Sequence, residues 1–307
     1  MNTRQGATNE RAAPPASSFQ PSPSAKATGE KPASAVWFAL GLLGIYALLA
    51  GAPFVRGVPL VVGSVAVTVL FILAAMTATA GAARISMSWL VEATGMLVCL
   101  GIWYVVAGAA AATDLGRALG VPLADVFFLI ACVLAGRLLS RIVRDRNLLL
   151  PICAVLALAD VFTVYFGPTH LALEKVPEVV ARLSIKLPQV GSAAGPEGLA
   201  GLVHLATMGP GDLVFLSLFF AAAVRFGLNL RGTFAAIFAL MAIGLAMLVT
   251  LPAFPPVPVL PLIALGFLIA NRGQFKLTEA EQRYVVIAAV VVALLILAIW
   301  ALTKLLG

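Results

Sequence analysis

Charge is what this sequence has least of. Only 11% of its 307 residues are Asp, Glu, Lys or Arg, against about a quarter in soluble globular domains, which excludes that class. Cysteine is nearly absent as well. Cys99, Cys132 and Cys153 each sit inside an apolar run, without paired spacing and without a histidine beside them, so neither a disulfide framework nor a zinc site is expected. With His170 and His204 as the sole histidines, no metal or other cofactor is expected. The net charge of +7 is scattered between apolar segments rather than gathered into a basic, aromatic-interleaved patch, which argues against nucleic acid and for orientation in a membrane.

What the chain does have is apolar length. It is 62% hydrophobic, with a mean hydropathy of +1.06, and this predicts an all-α, polytopic transmembrane helix bundle embedded in a lipid bilayer. Residues 1–34 are rich in Ala, Pro and Ser, lack apolar periodicity and are expected to form a disordered tail. The first apolar run follows that tail without a clear small-residue cleavage site, so it is expected to be a retained helix. Nine candidate spans follow, at 35–52, 58–83, 88–113, 121–140, 147–167, 201–226, 232–251, 255–271 and 285–305, each near the roughly 20 residues a bilayer core requires. They divide into a four-helix region (35–146), a region holding the most unusual residues (147–271), and a linker with one further helix (272–307). In the fourth span Asp125 interrupts the apolar run, and Arg137 and Arg141 crowd its end.

Alternating the spans across the membrane places six of the 20 basic residues on one side: Arg56, Arg117, Lys175, Arg182, Lys186 and Lys304. The other fourteen fall with the N-terminus. The positive-inside rule then predicts a cytoplasmic N-terminus and an external C-terminus.

Two acids lie deep in consecutive spans: Asp160 in "ADVFTVYFGPT" and Asp212 in "GPGDLVFLSLFF". An aspartate near the bilayer centre costs roughly 2.5–3.5 kcal/mol even on lenient insertion scales, which marks it as a functional candidate. Counted from the outer ends of their spans, the two differ in depth by only about 6 Å at 1.5 Å per residue. Two facing carboxylates in a low-dielectric site cannot both ionise cheaply, so they share a proton and titrate as a unit. One can then take a proton from an attacking water while the other hydrogen-bonds the carbonyl oxygen.

These segments resemble the intramembrane aspartyl proteases, the presenilins and signal peptide peptidases. "GPGD" fits their G-x-G-D motif, "ADVFTVYFGPT" is similar to the Tyr-Asp motif of the preceding helix, and Pro252, Ala253, Phe254 and Pro255 in "LPAFPPVPVLP" are similar to their Pro-Ala-Leu motif. The resemblance covers residues 147–271. It implies Asp160 and Asp212 as catalytic residues and Gly209, Pro210, Gly211 and Pro252–Pro255 as substrate-binding, with transmembrane helices as substrates. It further implies hydrolysis of peptide bonds within membrane-spanning segments or remnant signal peptides. Three positions depart from the pattern: Ala159 stands for tyrosine, Pro210 for an aliphatic residue, and Phe254 for leucine. Four spans rather than five precede Asp160, and one extra span follows the Pro-Ala-Phe segment. With a cytoplasmic N-terminus, the long connection 168–200 faces outside, an orientation similar to signal peptide peptidases.

Other readings stay open. A prepilin-type peptidase also uses a G-x-G-D aspartate, although no lysine follows soon after Asp212. A proton-coupled transporter or channel could use paired intramembrane acids and broken helices, and a catalytically silent relative could bind membrane helices. Asp125 repeats the local "LADVF" of Asp160 but is expected nearer a helix end, within reach of water. Glu92 is expected to snorkel to the interface. His170 and His204 are expected at the outer ends of the aspartate helices, and residues 170–187 have the spacing of an amphipathic surface segment.

Overall fold

The computed structural model describes residues 31–55, 57–110, 113, 116–165, 185–186, 207–250 and 258–275, together with the single helical positions Arg283, Ile287, Val290 and Leu294. Eight helices form the described fold: α1 (Lys31–Gly51), α2 (Leu60–Arg84), α3 (Trp89–Ala110), α4 (Val121–Ile142), α5 (Leu149–Tyr165), α6 (Pro210–Arg225), α7 (Leu230–Thr250) and α8 (Val259–Asn271). Short helical turns stand at Ala52–Phe54, Gly116–Gly120 and Arg146–Leu148, and the described residues add one two-residue antiparallel pair, β1 (Ile185–Lys186) with β2 (Thr207–Met208). Among the described residues, six helices are long and apolar enough to cross a membrane, matching the first five expected spans and the seventh. The fourth stands as a full helix despite Asp125, and most of its residues are buried.

Two expected spans are shorter than their hydropathy suggests. The sixth was expected over 201–226, yet its helix begins at Pro210. Proline has no backbone N–H and a fixed φ, so it suits the first helical position, and the residue before it is held extended. Gly209 accordingly sits at φ −73°, ψ 157°. Asp212 therefore lies in the first turn of α6, not about eleven residues into it. The eighth span, expected over 255–271, is helical from Val259. Residues 1–30, Pro252–Phe254, Pro255, His170, His204, Gly195 and most of the ninth span lie outside the described residues.

Helices consecutive in the sequence run antiparallel, so that α4 and α6, which pack directly together, run parallel. The starts of α1, α3 and α7 and the ends of α2, α4, α6 and α8 share one end of the bundle, as the contacts made by Arg137, Arg225 and Thr233 and the close approach of Gly81 to Phe38 require. That end carries Arg84, Arg137, Arg141, Arg225 and Arg231. Packing is closest where glycine removes a side chain. A Cβ on Gly136 would overlap the Val214 carbonyl oxygen and lie 2.7 Å from Ser217 Cβ, so only glycine lets α4 meet α6 so closely. The Ser217 hydroxyl uses that proximity to donate to the Val133 carbonyl at 2.7 Å. Large apolar side chains such as Leu43, Leu97, Tyr104 and Ile142 are exposed on the outside of the bundle, where a bilayer supplies the apolar solvent.

Candidate functional site

Both acids stand at the end of an apolar stripe. On α5, Leu149, Cys153 and Leu156 pack into the core, and Asp160 is the next position at helical spacing. On α6 the stripe reads Asp212, Leu216, Phe219, Ala223, the last three buried in the same cluster. The cluster also takes in Ile237 and Met241 of α7 and Leu260, Ile263 and Phe267 of α8. α5 packs chiefly against α8, and the shared cluster leaves Asp160 and Asp212 at the end of the bundle opposite the arginines. They stand close enough for their carboxylates to interact electrostatically.

Each carboxylate is held by backbone donors. Asp160 Oδ2 accepts from the Leu260 N–H at 3.0 Å. Asp160 therefore caps the first turn of α8, where unsatisfied N–H groups and the helix dipole favour an anion. Asp212 Oδ2 accepts from the Gly209 N–H at 3.2 Å, one half of a capping box with the acid at its third position. Each aspartate thus serves a helix terminus, which offsets part of the cost of placing it in an apolar bundle.

Among the described residues, nothing covers the backbone beside Asp212. A Cβ on Gly211 would meet nothing within 4 Å, and one on Gly209 would meet only Asp212 Oδ2, at 3.6 Å. Neither glycine has a positive φ, so neither is required by the local conformation. Pro210, at the first helical position, removes an N–H that would have lacked an intrahelical partner anyway. β2 ends directly before Gly209.

Asp125 lies half-buried in the second turn of α4; the interaction that marks Asp212 is with Asp160. Among the described residues, no group of three or more His, Cys, Asp or Glu is placed to hold a metal ion.

Glu92 overturns its expected position. Rather than snorkelling, it is 1% exposed, and it pairs with two arginines of α4. Arg137 Nε donates to Oε1 at 2.8 Å and Arg141 Nε to Oε2 at 2.5 Å. Arg137 also donates to the carbonyls of Ala82 and Ile85, and Arg141 to that of Met87 at 2.5 Å. The cluster ties the end of α2, the start of α3 and the end of α4 together. No sequence signal pairs residues 45 and 49 positions apart.

Comparison with family models, with curated proteins and with solved structures finds no match for this chain.

Proposed function

We propose that this protein is an intramembrane aspartic endopeptidase in which Asp160 and Asp212 act as one unit. The observation that carries the reading is their proximity: two acids 52 positions apart in the sequence lie at one end of the bundle, within electrostatic range of each other, on stripes that are otherwise apolar. The ordered motifs around 160, 209–212 and 252–255 and the backbone at Gly211, uncovered among the described residues, support it.

In this mechanism one carboxylate accepts a proton from a water whose oxygen attacks the peptide carbonyl carbon. The other, protonated, hydrogen-bonds the carbonyl oxygen and transfers its proton as charge develops there. Collapse of the resulting diol breaks the C–N bond and returns a proton to the amine, leaving a new carboxyl terminus and a new amino terminus. A peptide bond inside an intact helix is shielded, so the substrate must unwind first. The missing side chains at Gly209 and Gly211 let an extended segment approach the first turn of α6, where N–H groups after Pro210 lack intrahelical partners.

The test is cleavage of single-span peptides by the purified full chain in lipid, read by mass spectrometry, comparing wild type with Asp212→Ala. Site-specific products from wild type alone are expected. Equal products from both proteins would sink the proposal.

A further inference from the structure

We propose a second site, at the opposite end of the bundle: a groove between α1, α2 and α7 that binds an anionic phospholipid. A cavity of about 290 Å³ lies there, with Trp37, Ala80, Leu230 and Phe234 forming apolar walls and Arg84 and Arg231 both lining it. That volume is at the small end for ligand pockets, so it fits a headgroup and the first methylenes of a chain, with the remaining lipid lying along the outside of the helices.

Of the arginines at this end, Arg137, Arg141 and Arg225 give their donors to Glu92 or to helix-terminal carbonyls. Others, Arg84, Arg144, Arg146, Arg231 and Arg272, make no hydrogen bond or ion pair among the described residues. Of these, Arg84 and Arg231 line the groove, and both are exposed. Two guanidinium groups lining one small cavity repel each other, and a phosphate between them relieves this with charge-assisted bonds. Arg231 also stands in the first turn of α7, the end of a helix that disfavours a cation. An anion bound beside it offsets that penalty.

The walls decide for lipid over free phosphate. Below the arginines the lining is apolar apart from Thr77, whose hydroxyl is donated to the Leu73 carbonyl at 2.7 Å. Trp37, 52% exposed near the start of α1, has the amphipathic ring typical of a membrane–water interface. Basic pockets between membrane helices at headgroup level suit anionic lipid.

The experiment is native mass spectrometry of the purified full chain, titrated separately with phosphatidylglycerol, phosphatidylcholine of the same acyl chains, and inorganic phosphate. Phosphatidylglycerol should be retained at least about tenfold more tightly than phosphatidylcholine. Arg84→Gln with Arg231→Gln should abolish that preference, and Arg84→Lys with Arg231→Lys should restore part of it. Arg272→Gln, an exposed arginine at the same end outside the groove lining, should change nothing. Unaltered preference in the Gln pair, an equal loss in Arg272→Gln, or displacement of phosphatidylglycerol by inorganic phosphate at matched concentration would each overturn the proposal. Both paired variants alter exposed side chains only, and unchanged melting of the Gln pair separates lost binding from lost fold.

Discussion

Asp160 of α5 accepts a hydrogen bond from the backbone N–H of Leu260 at the start of α8, across 100 positions of sequence. One side chain thereby ties the helix bearing the first acid to the helix that follows the Pro-Ala-Phe segment. Asp212 does the corresponding job within its own helix by accepting from Gly209. A structural role is therefore superposed on the proposed chemical one at both acids, and a variant that keeps one role while removing the other separates them.

Asparagine is that variant, because its side-chain oxygen still accepts from a helix terminus while its amide cannot exchange a proton. Asp160→Asn and Asp212→Asn should each remove cleavage almost completely and leave thermal melting nearly unchanged. The double variant should be no worse than either single one, as for groups acting as a unit. Asp125→Asn should stay active. Asp160→Ala, in contrast, should also lower stability by about 1 kcal/mol through the lost cap. Substantial site-specific cleavage by purified Asp212→Asn would return a proton-coupled transporter to first place.

The close approach of α4 to α6 rests on Gly136. Gly136→Ala should cost about 1–3 kcal/mol by overpacking, and because α6 carries Asp212 it should reduce cleavage as well. Gly101→Ala is the control: a Cβ there would meet nothing within 4 Å, and helix propensity alone predicts a gain of up to roughly 1 kcal/mol. Equal melting temperatures for the two variants would show that the α4–α6 seam is softer than its geometry implies.

Long uninterrupted apolar runs made α1–α5 and α7 readable from sequence, since a bilayer imposes both their length and their composition. Asp160 and Asp212 were readable because acids are rare in such runs, and their shared stripes with Leu156 and Leu216 follow from helical spacing. The start of α6 was misplaced for a local reason. Hydropathy carries 201–226 as one run, whereas Pro210 begins a helix rather than interrupting one. Glu92 escaped entirely, because its partners lie on another helix and nothing in the spacing of residues 92, 137 and 141 records that helix packing brings them together.

That cluster makes a graded prediction. Removing the charge of a buried ion-pair member strands its partners and costs about 3–5 kcal/mol, so Glu92→Gln should strongly lower thermal stability. Arg137→Gln should come close to it, since Arg137 also holds two carbonyls at the end of α2. Arg141 is 41% exposed at its side chain, and solvent screening should keep Arg141→Gln near 1 kcal/mol or below. A melting series in which Arg141→Gln is the most damaging would mean that the exposed pair, not the buried one, holds α3 to α4.

The arrangement of arginines makes the last prediction, which concerns sidedness. The end of the bundle that carries Arg84, Arg137, Arg141, Arg225 and Arg231 should face the cytoplasm, and the end that holds the two aspartates should face outside. Ser88 and Val58 are exposed at the two opposite ends, between α2 and α3 and between α1 and α2. In a chain whose Cys99, Cys132 and Cys153 are replaced by alanine, Val58→Cys should react with a membrane-impermeant maleimide on intact cells. Ser88→Cys should react only after permeabilisation. The reverse pattern would place the dyad near the cytoplasmic face, and a substrate presenting its N-terminus from the cytoplasm would then enter the site in the opposite chain direction. Cleavage by the same two acids would remain possible, so the labelling experiment decides substrate direction independently of the asparagine variants.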